Sequence, residues 1–203
     1  MDINLNINLQ YNSLVILSYF FLSLLAFILN AITKGKSNKL LFSTYRDSIF
    51  NPMMYIRLFT HALGHENWNH LKNNFLMILL IGPALEEKYG SINLLIMFLI
   101  TAFITGILHN LFKNNSLLGA SGSVFMLIIL SSFVNIEAGK IPITLILICL
   151  FYVIDEIKDG MFKKDKVSHI GHLIGALCGA IFGFYFLHHT TFIDLFTWLK
   201  SLI

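Results

Sequence analysis

Long apolar runs constrain this chain more than any other feature. Crossing hydrocarbon takes roughly 20 apolar residues as a helix. Six stretches qualify or come close, at about 13–31, 69–86, 92–112, 117–136, 141–157 and 168–187. The 203 residues are 56% hydrophobic and only 12% charged, too little polar surface to cover a water-soluble domain of this size. The expectation is an all-α integral membrane protein: a bundle of six transmembrane helices with a long embedded first loop, forming a single domain over 1–203. Residues 1–12 read as a tail without the basic start of a secretory signal. Residues 190–203 are too short to span, and Trp198 and Lys200 suit an interfacial helix there. The net charge of +3 comes from dispersed lysines, which argues against nucleic acid as a partner. Cys149 and Cys178 lie inside apolar runs and read as small hydrophobes.

Polar groups inside spans are costly and are functional candidates by default. Three clusters qualify. In "HLKNN", His70 and Asn74 stand at i and i+4, on one face of the second span. In "SHIGHLIGALCGAIFG", Gly171, Gly175, Gly179 and Gly183 recur every fourth residue, a small-residue stripe suited to close helix contact. His172 adjoins that stripe, and His169, one turn nearer the start of the span, is its rival. In "LLGASGSVF", Ser121 is bracketed by Gly119 and Gly122 at the head of the fourth span. A serine at a helix start lies beside unpaired N–H groups that favour negative charge.

Each cluster alone is compatible with helix packing or capping. Together they make a working set, with Ser121 as nucleophile, His172 as base, and His70, Asn74 and the Ser121 N–H as oxyanion donors. No acid is evident beside His172 in the sequence, so the set reads as a Ser–His dyad. Asp155 and Glu156, at the end of the fifth span, read as solvated interfacial charge. A zinc hydrolase is the main rival enzyme, and it fits poorly. His65 and His70 are five residues apart, whereas the zinc helix needs His-Glu-x-x-His. His61 and His65 are properly spaced but have no glutamate between them at the required place. No metal and no cofactor are expected. The other alternative is a membrane-protein binder that keeps the fold with the dyad idle.

These residues resemble the rhomboid family of intramembrane serine proteases, from about Tyr55 to about Gly183. "GASG" resembles the family's Gly-Xaa-Ser-Gly nucleophile motif at Ser121, and "GHLIGALCG" its His-x-x-Gly-x-x-x-Gly motif at His172. "HLKNN" resembles the oxyanion motif, giving His70 and Asn74. "RLFTHALGH" is similar to the first-loop segment with Arg57, His61 and His65, and "EEKYG" gives Glu86 and Gly90 structural roles. The chain departs from the family at Ile56, where Trp is frequent, at Phe125, where Tyr often packs on the base, and at Met126, where a small residue is common.

The resemblance implies an endopeptidase that cleaves transmembrane segments of other membrane proteins within the lipid bilayer. It also implies cytoplasmic termini and an active site opening outward. The charge pattern points the other way. The loops after the first, third and fifth spans hold ten lysines and arginines against three on the opposite side. The family orientation is preferred, because long loops count weakly in that rule. Richness in Asn, Ile and Lys suggests a bacterial cytoplasmic membrane.

Overall fold

A computed structural model of the chain describes residues 10, 12–137, 139–162 and 168–192. Nine α-helices organise these residues, with one isolated antiparallel bridge between Thr44 and Leu117. Helix α1 (Leu14–Ile32) is followed by a loop carrying α2 (Lys36–Leu40), α3 (Pro52–Thr60) and a 3₁₀ turn (His61–Leu63). Then come α4 (Trp68–Tyr89), α5 (Ser91–Phe112) and α6 (Ser121–Ser131). Helices α7 (Ile143–Ile148) and α8 (Ile154–Phe162) are joined without interruption by a π-helical turn (Cys149–Val153), and α9 (His169–Phe186) closes the fold. The expected interfacial segment at 190–203 lies mostly outside the described residues, with Trp198 and Lys200 among those not described.

Among the described residues, three helices, α1, α5 and α9, are long and apolar enough to cross a membrane, with mean hydropathies of 2.3, 2.3 and 1.5. Large apolar side chains face outward: Leu80, Ile92 and Phe151 are 75%, 68% and 68% exposed. Water would penalise such a surface, and hydrocarbon does not. The protein is therefore an integral membrane protein.

Helix α4 is as long as α5 but carries Lys72, Glu86, Glu87 and Lys88. Glu86 is buried, and its burial has a structural cause. Its carboxylate accepts the backbone N–H groups of Val15 and Ile16 at 2.9 and 3.0 Å, and the Ser91 hydroxyl at 2.6 Å. It thus satisfies orphan donors at the start of α1 that hydrocarbon could not. Gly90 separates α4 from α5 at φ +83°, where a side chain is strained.

The fourth run does not form the helix expected over 117–136. Helix α6 covers Ser121–Ser131 alone. Gly119, at φ +123°, ends the incoming chain, and turns follow Ser131. The helix can be short because it sits inside the bundle: Met126, Leu127 and Leu130 are fully buried. Its principal neighbour is α9. The fifth run extends beyond the expected residue 157, to Phe162, and the π-helical turn lies within it.

Candidate active site

Backbone contact between α6 and α9 decides where the site residues stand. A Cβ added to Gly175 would lie 2.0 Å from the Gly122 carbonyl oxygen, and one on Gly179 would lie 2.4 Å from that of Met126. Only glycine lets the two helices meet at this distance. On α6, Ser121 is the first helical residue, so its N–H belongs to the unpaired set at the N-terminus. One turn on, Phe125 stacks on the His172 ring, with centroids 4.4 Å apart and planes 9° apart. The glycine stripe thus sets the helix bearing His172 directly against the one bearing Ser121. Met126 does not face the cavity described below; it is fully buried in the core.

The residues before Ser121 are held by the first loop. Thr44 and Leu117 exchange two backbone hydrogen bonds of 2.8 Å, and the Gly119 N–H donates to the His61 carbonyl at 2.9 Å. The Gly119 backbone also passes against His70. A Cβ there would lie 2.7 Å from His70 Nε2, at a φ few other residues adopt. The glycine before the serine therefore brings the chain onto α4. Gly122, by contrast, would leave an added Cβ no nearer than 3.4 Å to the Gly171 oxygen and Thr105 Oγ1.

Asn74 is buried, and its amide nitrogen lies 3.1 Å from His65 Nε2. Burial pushes the His65 imidazole down to about 4. It is neutral at physiological pH, with Nδ1 donating to the Leu63 carbonyl at 3.1 Å and Nε2 accepting from Asn74. The neighbouring loop is pinned by Arg57, which is 2% exposed, ion-paired with Asp47 and stacked 4.2 Å over the Tyr45 ring. Hydrogen bonding to Arg57 holds the Asp47 carboxyl below its usual range.

Ser121, His172, His70 and Asn74, from α6, α9 and α4, all line one cavity of about 760 Å³, together with His169, Ser168 and Glu66. Residues far apart in sequence thus converge on one open space, as a nucleophile, a base and oxyanion donors require.

One residue in this neighbourhood escaped the sequence reading. Glu156, expected to be solvated, turns inward from α8. Its Oε2 lies 2.6 Å from His169 Nδ1 and 3.0 Å from His172 Nδ1, and its side chain is 17% exposed. Asp155, the preceding residue, does face outward and pairs with Lys158 at 3.5 Å. The order of the two acids along the chain cannot reveal this. Only the packing of α8 against α9 tells which one turns in.

Glu156, His169 and His172 bring three potential ligand atoms within 4.8 Å of one another. Donors around a tetrahedral zinc stand about 3.3 Å apart. The carboxylate-to-imidazole separations of 2.6 and 3.0 Å are instead those of direct polar contact. Of the histidines in the zinc reading, the His65 and His70 rings meet edge to face at 5.0 Å, but His65 Nε2 accepts from the Asn74 amide at 3.1 Å and His61 Nδ1 contacts the Arg57 carbonyl at 3.2 Å.

Residues 52–189 match the family model of the Rhomboid domain. The chain belongs to the rhomboid family. Among its relatives in Arabidopsis thaliana, Rhomboid-like protein 11, chloroplastic, is 30% identical over 137 residues, covering 60% of this chain and 49% of that protein. RHOMBOID-like protein 1 is 31% identical over 137 residues, covering 64% of this chain and 34% of that protein. RHOMBOID-like protein 4 is 33% identical over 126 residues, covering 59% and 31%. The chain therefore spans about half, or less, of the length of these curated relatives. The matched segment runs from the start of α3 to beyond α9 and contains every rhomboid motif residue named above.

Proposed function

We propose that this rhomboid is an intramembrane serine endopeptidase that hydrolyses peptide bonds within or near transmembrane segments of other membrane proteins. The observation that carries this reading is the convergence of Ser121, His172, His70 and Asn74 on one cavity, with Phe125 stacked on the imidazole. Ser121 Oγ attacks the scissile carbonyl carbon and its proton passes to His172. The carbonyl electron pair moves onto oxygen, where His70, Asn74 and the Ser121 N–H donate to it. Collapse releases the amine, which takes the proton from His172. Water, activated by the same histidine, then hydrolyses the acyl-enzyme.

A helical substrate hides its amides in its own hydrogen bonds, so it must unwind locally before attack. Gly or Pro near the cleavage site assists that unwinding. The backbone pressed against His70 at Gly119 favours a small residue before the scissile bond. In this reading the bundle has six spans: α1, α4, α5, α6, the continuous 143–162 rod and α9. The site faces outward across the bilayer, with the first loop docked beside it. The bacterial setting rests on composition alone, since the relatives named above are plant proteins.

The test is reconstitution with a transmembrane substrate, comparing the parent with Ser121→Ala. Cleavage by the parent and none by the variant is the expected result, and equal cleavage would end the serine mechanism. Fluorophosphonate labelling at Ser121 separates an enzyme from an idle binder. An activated serine labels and an idle one does not.

A further inference from the structure

A general base must present an unprotonated nitrogen to the nucleophile. A neutral imidazole carries one N–H, on Nδ1 or Nε2, and its surroundings choose which. Phe125 fixes the plane of the His172 ring by stacking at 4.4 Å and 9°. That stack does not choose the edge, because turning the ring over by 180° leaves it in the same plane. A polar partner on one edge must make the choice.

Glu156 stands at that edge. Its Oε2 is 3.0 Å from His172 Nδ1, and at this distance two unprotonated acceptors would repel. An ionised carboxylate there favours the form with the proton on Nδ1. The same oxygen is held by His169 Nδ1 at 2.6 Å. The His169 contact has hydrogen-bond geometry, whereas the His172 contact is one of distance, so the carboxylate acts on His172 Nδ1 through its charge. Among the described residues, the groups near the His172 ring also include His70, reaching the same cavity from α4, and Ser121 and Phe125 from α6.

We propose that Glu156 is a positioning residue: its carboxylate keeps the His172 proton on Nδ1 and so leaves Nε2 free to take the proton of Ser121. The site then works as a serine–histidine–glutamate set, with His169 holding the carboxylate in place. In the attack step the Oγ–carbon bond forms, the carbonyl pair moves to oxygen, and the Ser121 proton goes to Nε2. Glu156 stays ionised beside the resulting imidazolium. This rests on the protease reading above.

The experiment compares the parent, Glu156→Gln, Glu156→Asp and Asp155→Asn, each reconstituted with a transmembrane substrate. Thermal unfolding of each variant in detergent shows whether it is folded. A glutamine at 156 can donate its amide to Nδ1 and so move the proton to Nε2. The expected result is a kcat lowered by roughly 10²–10⁴-fold with KM little changed, as when the acid of a soluble triad becomes an amide. Glu156→Asp recovers part of the loss, and Asp155→Asn matches the parent. The ¹⁵N resonances of His172, assigned by their loss in His172→Asn, give a readout that fold integrity alone would not move. They show the Nδ1–H form in the parent and in Ser121→Ala, and the Nε2–H form in Glu156→Gln. An unchanged kcat or an unchanged tautomer in folded Glu156→Gln would overturn the proposal. A parent that neither cleaves nor labels defeats the protease reading instead, and the tautomer measured in Ser121→Ala still judges the placement of the proton.

Discussion

Gly119 and Asn74 concentrate the constraints of the site into single atoms. A methyl group on Gly119 would stand 2.7 Å from His70 Nε2, at φ +123°. Gly119→Ala therefore displaces either His70 or the loop before Ser121. The expected cost is about 1–3 kcal/mol in stability, read as a lower unfolding midpoint in detergent, and fluorophosphonate labelling of Ser121 slows with it. Asn74→Ala removes a proposed oxyanion donor and is expected to lower kcat by about 10²–10³-fold with little change in KM. His65 supports that donor at 3.1 Å from outside α4. His65→Leu should fall between the parent and Asn74→Ala in kcat, and a His65→Leu enzyme as fast as the parent would show that Asn74 orients itself.

Helix contacts transmit these constraints. The α6–α9 pairing depends on bare backbone at Gly175 and Gly179, where an added carbon would meet a carbonyl oxygen at 2.0 and 2.4 Å. Gly175→Ala pushes the helices apart and breaks the Phe125–His172 stack with them. The expected destabilisation is about 1–3 kcal/mol, the usual cost of overpacking, with activity lost more steeply than stability. Helix α1 depends on α4 in a different way. Glu86→Ala leaves the Val15 and Ile16 N–H groups without their acceptor, at a cost of about 1–3 kcal/mol for each buried group left unsatisfied. Denaturant titration of the purified protein measures both effects.

Across the whole molecule, the first loop acts as a bracket between the α1 end of the bundle and the chain before Ser121. Its anchor is Arg57, buried and paired with Asp47. Because hydrogen bonding to Arg57 holds the Asp47 carboxyl below its ordinary value of 3.8, it binds fewer protons folded than unfolded near that pH. The stability this adds is present above about pH 4 and is lost as pH falls through the lowered folded value. Unfolding midpoints measured from about pH 6 down to about pH 3 should show the decline, and Asp47→Asn should be flatter over that range.

Helix-length apolar runs, the Gly-Ala-Ser-Gly turn, the His70–Asn74 pair and the glycine stripe beside His172 are local patterns, and each was legible because its physics is local. Hydrocarbon sets the length of a run, and the turn of a helix sets the spacing of a stripe. The length of α6 was not legible. An apolar run shows that a segment avoids water but not whether lipid or other helices cover it, and α6 is covered by helices. Glu156 was hidden for the same kind of reason. Its neighbour Asp155 also carries a carboxylate, and only the rotation of α8 against α9 turns one carboxylate to solvent and the other to two imidazoles. Sequence determined which groups could do chemistry here. Tertiary packing decided which of them meet, because contact between distant segments depends on how whole helices seat against one another.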